Sequence, residues 1–149
     1  MENKILIRDF QTEDLPFLTE LTLQLGYPST LEQMTKRMEI ILKLETYWTL
    51  VAVQGDKVIG YTGFNKNYFW EQDGFFIKIQ ALVVHQSYRR MGVGKMLMDS
   101  VEKFAKQINA KQIVLTSGNR EERETAHKFY PQMGFDPSST AYKKILTES

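Results

Sequence analysis

Residues 89–95 read Arg-Arg-Met-Gly-Val-Gly-Lys, placing Arg89, Arg90 and Lys95 beside Gly92 and Gly94. A mostly apolar, β-branched run at 77–84 precedes them and reads as a buried strand, and the helical pattern of 96–105 follows them. A strand, a basic glycine loop and a helix in that order suit an anion, most often a phosphate. The first-turn N–H groups of a helix lack intrahelical partners, and the helix dipole puts partial positive charge there. Glycines let backbone N–H groups approach a ligand without a Cβ in the way.

Two common phosphate loops fail against this stretch. A Walker A loop requires Gly-x-x-x-x-Gly-Lys-[Ser/Thr]; Gly94-Lys95 matches its end, but Arg89 and Met96 break it. A dinucleotide fingerprint requires Gly-x-Gly-x-x-Gly, and Leu97 stands at its third glycine. The pattern that remains, Arg-x-x-Gly-x-Gly over 89–94, resembles the coenzyme-A-binding motif of the GNAT acyltransferase superfamily. A second block, Asn119, then Ala126-x-x-Phe129-Tyr130, then Gly134-Phe135, resembles the same family's Asn…Ala-x-x-Phe-Tyr…Gly-Phe segment. The resemblance covers roughly residues 75–146 by motif and the N-terminal half by element order.

The resemblance implies an acetyl-CoA-dependent N-acyltransferase. It puts the pyrophosphate on Arg89, Arg90, Gly92, Val93, Gly94 and Lys95, and the pantetheine arm along the backbone of Leu82, Val83 and Val84. In the family the central strand carries a bulge or splay that frees its N–H groups, so a backbone donor near Leu82 would face the developing oxyanion. Asn119 matches a pantetheine-contacting Asn and would also serve as a turn or cap residue. Tyr130 matches the Tyr near the thioester sulfur; a phenol with reference pKa about 10 is a proton donor at neutral pH and suits a departing thiolate.

Two departures from the family pattern stand out. Pro131 follows Tyr130 and predicts that the helix ends or kinks there, re-aiming the hydroxyl. Gln80 stands on the central strand where many members carry a Glu, and glutamine accepts no proton near neutral pH. The base is left open between Glu71 or Asp73 through water, His85, and no dedicated group; His85 reads better as a strand-end residue, and His127 as a surface or packing residue of the last helix.

Composition sets the frame for these residues. The chain has 149 residues, which predicts a single acyl-CoA N-acyltransferase domain over 1–149. Net charge is +1, from 19 basic and 18 acidic side chains, which gives no case for nucleic acid or membrane partners. With no cysteine, disulfides and thiolate catalysis are excluded, and two histidines are too few for a histidine-based metal site without carboxylate help, so no metal is expected. No apolar signal or membrane-length run appears, so a cytoplasmic protein is the default.

The elements that must position the loop follow in order. Residues 4–8 read as a strand; Leu15, Leu18, Leu21 and Leu25 form a helical stripe ended by Gly26 and Pro28; Ser29 or Thr30 caps a second helix. Residues 49–53 and 58–64 read as a hairpin around Gly55-Asp56, with Gly60 and Gly63 marking weak points or a close approach. Residues 65–74 read as an aromatic loop, 75–84 as the central strand, and 112–116, 121–130 and 141–146 as strand, helix and last strand. The predicted class is α/β (α+β): a GNAT-like mixed, largely antiparallel central sheet flanked by helices, with a parallel strand pair around the CoA-binding helix.

The expected acceptor is a small-molecule amine or a protein amine, attacked directly in a ternary complex, and a homodimer is common in the family. Tyr27, Tyr47, Trp48, Tyr68, Phe69 and Trp70 are aromatic candidates for its pocket, with Tyr68–Trp70 the best for a cation. The alternative is a non-catalytic acyl-CoA-binding sensor or regulatory module.

Overall fold

The computed structural model describes residues 4–116, 128–138 and 141–147, in two compact units, Met1–Leu115 and Thr116–Ser149. The first unit is a five-stranded sheet in the order β1 (Ile5–Asp9), β2 (Tyr47–Gln54), β3 (Lys57–Tyr68), β4 (Phe75–Val84), β5 (Ile113–Leu115). Its first four strands pair antiparallel, and β4 pairs β5 in parallel through Ile77–Ile113, Lys78–Val114 and Ile79–Leu115. A parallel pair needs a long crossover, and α3 (Val93–Gln107) supplies it.

Two helices precede β2. In α1 (Leu15–Leu25), Leu15, Leu18 and Leu21 are buried while Leu23, off the stripe, is exposed. The helix ends as its sequence predicts: Gly26 takes φ +109°, its N–H reaches Leu23 O at 2.9 Å, and Tyr27 N–H reaches Thr22 O at 3.0 Å. In α2 (Leu31–Leu42), Thr30 and Gln33 form a reciprocal capping box at 3.0 and 2.9 Å. Only Met34 and Met38 of its apolar residues are buried; Leu31, Leu42 and, beyond the helix, Leu44 are exposed.

The sheet carries a core on each face. Leu18, Leu21, Met34, Met38, Val51, Tyr61 and Val83 pack together on the α1–α2 face. Ala52, Ile59, Val93 and Leu97 pack on the α3 face, with Leu82 and Val84 against them. α3 lies against Gly60: a Cβ there would lie 3.4 Å from both Val93 Cγ1 and Leu97 Cδ1, and 3.0 Å from Val83 O of β4.

Three expectations need correction. Residues 65–68 belong to β3 rather than to a loop, because 75–78 of β4 supply their ladder and override the weak strand preference of Asn and Lys. Of the two outcomes expected at Pro131, an end or a kink, the end is not found: the helix at 128–132 runs through Pro131. It closes on Gly134 at φ +90°, with Gly134 N–H on Pro131 O at 3.1 Å and Phe135 N–H on Tyr130 O at 3.1 Å. Residues 141–146 form no strand; a strand is defined by its ladder, and none is made there among the described residues. Among the described residues no helix is long and apolar enough to cross a membrane.

Candidate functional site

The site begins with a slip in β4. Ala81 pairs Gly63 and Ile79 pairs Phe64, which leaves Gln80 as an extra residue, a β-bulge. Before it, Ile77 N–H points to the β5 side and bonds Gln112 O at 3.0 Å; after it, His85 N–H points to the β3 side and bonds Ile59 O at 2.7 Å. Strict alternation would aim these two odd-numbered residues the same way, so the bulge reverses the phase. Leu82 and Val84 alternate with His85 and therefore turn their backbone N–H and C=O away from β3. On that edge the ladder with β5 has already stopped at Ile79. Val83, by the same alternation, faces β3 with its backbone and fills the α1–α2 core with its side chain.

The strand then leads into the basic loop. Residues 86–88 make one 3-10 turn. Arg89 is exposed, and its Nε donates to Val84 O at 3.4 Å, at the long end of the hydrogen-bond range. Arg90 takes φ +67° and Gly92 φ +81°, so the chain winds left-handed immediately before the helix. Met96 N–H is bonded to Gly92 O at 3.0 Å. The N–H groups of Val93, Gly94 and Lys95 are first-turn donors, which an α-helix leaves without intrahelical partners. Val93 itself is 1% exposed and anchors the helix start in the same cluster as Leu82 and Val84, so only its backbone is offered. Lys95 Nζ meets Asp99 Oδ2 at 2.8 Å, an exposed pair one turn apart that is worth little in water and yields readily to a phosphate. The structure thus gathers Leu82, Val84, Arg89, Arg90, Gly92, Val93, Gly94 and Lys95 around one strand end and one helix start.

Other expected residues fall elsewhere. Asn119 and His127 lie outside the described residues. Tyr130 belongs to the second unit, where its ring packs edge-on against Phe129 at 5.1 Å and Phe135 at 5.8 Å. Glu71 and Asp73 are exposed in the β3–β4 turn. Both ring nitrogens of His85 are engaged, Nδ1 by Ser87 N–H at 3.1 Å and Nε2 by Glu20 Oε1 at 3.2 Å. Gln80 Nε2 donates to Asn65 Oδ1 at 2.9 Å, which fixes the side chain at the bulge.

The aromatic candidates divide. Trp48 packs on the α3 face against Phe64 at 5.7 Å and Phe104 at 4.7 Å, away from α1 and α2. Lys66 Nζ sits 5.0 Å from the Tyr68 ring centre and 4.1 Å from that of Phe75, so the protein's own cation occupies that face. Trp70 is fully exposed. A groove of about 290 Å³ lies along the C-terminal half of α3, between Lys103, Phe104 and Trp48, and includes none of the loop residues.

The bulge or splay that the resemblance implied for the central strand is present, but sequence reasoning did not place it at Gln80, and it missed the two side chains of α1, Glu20 and Gln24, that reach the loop; Gln24 Oε1 accepts Gln86 N–H at 2.8 Å. No local signal marks either, because a bulge exists only relative to its partner strand and the α1 contacts span 62 and 65 residues of chain.

Comparison with known proteins agrees with this architecture. The model of the acetyltransferase (GNAT) family matches residues 9–135. A curated relative, the uncharacterised N-acetyltransferase YhdJ of Bacillus subtilis (strain 168), is 27% identical over 133 residues, 89% of each chain. The crystal structure of a GNAT family acetyltransferase from Staphylococcus aureus subsp. aureus USA300_TCH1516 is 31% identical with a TM-score of 0.82, over 95% of this chain and 98% of that one. An aminoglycoside N-acetyltransferase, AAC(6')-Iy, solved in complex with CoA, shares the fold at a TM-score of 0.81 and 19% identity, over 97% of each chain.

Proposed function

The chain belongs to the acetyltransferase (GNAT) family and is an enzyme of that class; from this premise we propose that it moves an acetyl group from acetyl-CoA to a primary amine by direct attack in a ternary complex. The observation that carries the reading is the phase reversal at Gln80, which turns the Leu82 and Val84 backbone to the open edge of β4 beside the start of α3. The fit to acetyl-CoA rests on that edge together with the left-handed Arg90 and Gly92, which aim a helix N-terminus and the exposed Arg89 at one place.

Each group then has a task. Arg89, Arg90, Lys95 and the N–H groups of Gly92 to Lys95 hold the pyrophosphate. The Val84 backbone lies along the pantetheine amides with Val83 behind it, and Asn119 supports the same arm. Leu82 N–H donates to the carbonyl oxygen as negative charge develops there. The neutral amine nitrogen forms a C–N bond as the C–S bond breaks, the Tyr130 hydroxyl gives its proton to the departing sulfur, and the proton shed by the new amide nitrogen returns through water to the phenolate. Holding both substrates in one site supplies much of the remaining acceleration. The acceptor is a small-molecule or protein amine, and the whole of 1–149 acts as one catalytic domain, in agreement with a family match that reaches residue 135.

Two measurements test this. Acetyl-CoA at about a hundred times its Kd adds roughly 2.7 kcal/mol, a rise in Tm of about 5–11 °C for a chain of this size, whereas ATP and NADH give none. Release of free CoA thiol is then followed over a panel of amines. Turnover on at least one amine supports the transferase. Tight acetyl-CoA binding without turnover on any amine turns the assignment to an acyl-CoA sensor, and no thermal shift at millimolar acetyl-CoA removes both.

A further inference from the structure

Glu20 and Gln24 stand one turn apart on α1, and both reach the connection that leaves β4 for α3. His85 Nδ1 accepts Ser87 N–H at 3.1 Å, which leaves the neutral ring's proton on Nε2, and Nε2 donates to Glu20 Oε1 at 3.2 Å. Gln24 Oε1 accepts Gln86 N–H at 2.8 Å. Within the connection, Tyr88 N–H bonds His85 O at 2.8 Å and the Tyr88 ring stands edge-on to the His85 ring at 5.7 Å. The turn at 86–88 is therefore held from outside by α1 as well as from β4.

We propose that Glu20 and Gln24 are positioning residues for the phosphate loop. They fix the orientation of the 86–88 turn, and with it the place where Arg89, Gly92 and the first turn of α3 present their donors. The proposal rests on reading 89–95 as the pyrophosphate cradle. A loop ordered before binding spares the complex the entropy of ordering it, so loosening these two contacts weakens the cosubstrate without touching it.

Charge makes the proposal discriminating. Glu20 is an anion near an anion site, so if it acted only through its charge, removing it would tighten acetyl-CoA binding. As a positioning group, its removal weakens binding, and Glu20→Gln recovers most of the loss because an amide oxygen accepts the same Nε2–H.

The test is isothermal titration of the full chain with acetyl-CoA, together with steady-state kinetics on the best amine and a thermal melt. Variants are Glu20→Ala, Gln24→Ala, the double variant, Glu20→Gln, and Leu23→Ala as a control on the exposed side of α1. The expected result is a rise of about tenfold in Kd and KM for acetyl-CoA in the double variant, two lost hydrogen bonds' worth. With it, kcat and Tm stay near wild type, Leu23→Ala is silent, and Glu20→Gln is largely restored. Unchanged or tighter binding in the double variant overturns the proposal, as does a weakening that follows a fall in Tm and is not restored by Glu20→Gln. Wild-type protein that fails to bind acetyl-CoA overturns the cradle itself, a result distinct from either.

Discussion

Val93, the first residue of α3, packs against the bare face of Gly60 in β3: a Cβ on Gly60 would meet Val93 Cγ1 at 3.4 Å and the Val83 carbonyl at 3.0 Å. The second neighbour is backbone and cannot step aside. Gly60→Ala therefore pushes the helix start from the sheet or strains the β3–β4 ladder, at a cost of about 1–3 kcal/mol. Thermal melts should show a fall of roughly 2–4 °C per kcal/mol, with weaker acetyl-CoA binding alongside. A Tm and Kd equal to wild type would show that α3 does not need this approach.

Gly92 differs in kind. Nothing lies within 4 Å of its missing Cβ, but its φ is +81°. The cost of Gly92→Ala is thus backbone strain alone, about 1–2 kcal/mol. The chain relieves that strain by rotating the helix's first turn, so acetyl-CoA affinity should fall more than fold stability does. Titration calorimetry set beside a melt separates the two.

Tyr130→Phe removes only the hydroxyl and keeps the ring against Phe129 and Phe135. If Tyr130 protonates the leaving sulfur, kcat falls about a hundredfold or more while Kd for acetyl-CoA is preserved. Unchanged turnover, measured by thiol release, would remove it from the mechanism.

Arg8 and Asp14 make a two-pronged pair, with Nη1 to Oδ2 at 2.8 Å and Nη2 to Oδ1 at 3.0 Å, and Gln11 N–H adds a bond to Oδ2 at 2.8 Å. Burial by itself raises the Asp14 carboxyl, but the Arg8 and Gln11 hydrogen bonds and the Arg8 charge outweigh it, so its pKa lies below the ordinary value. The unfolded chain then binds the proton more readily than the native one. The stabilisation is complete above the unfolded pKa, about 3.9, and is lost as pH falls through the native value. Asp14→Asn should lose about 2 kcal/mol at pH 7, and its urea midpoint should converge on wild type below about pH 4. A deficit independent of pH would assign the loss to packing.

What was legible in the sequence was local. Leu15, Leu18 and Leu21 announced a buried helix face, Gly26 its end, and Gly92 the turn into α3, because each signal lies within a few residues of what it specifies. The β3 extension through Tyr68 was hidden because Asn65 and Lys66 adopt a strand only where a partner completes the ladder. The same holds in reverse for 141–146, whose strand-like pattern finds no ladder among the described residues. At the site, the donors of the loop could be read from residue types, but the direction of the Leu82 and Val84 backbone depends on the slip at Gln80, which only pairing reveals. The hold of α1 on the loop was equally invisible, since Glu20 and Gln24 read as ordinary polar helix residues until the fold brings His85 and Gln86 to them.

The extra residue in β4 also has a genetic consequence. Gln80 is exposed, and substitutions of its side chain keep the backbone count intact. A one-codon deletion there is another matter. Ile79 and Ala81 already stand opposite the adjacent residues Phe64 and Gly63, so losing the residue between them would restore plain alternation and leave every downstream side chain on its present face. Ala81 and Val83 would stay toward α1 and α2, and Leu82 and Val84 toward α3. What would go is the local bend and added twist that a bulge gives the strand, at the point where the β5 ladder stops. The core would survive such a shortened allele; the bend beside Leu82 and Val84 would not.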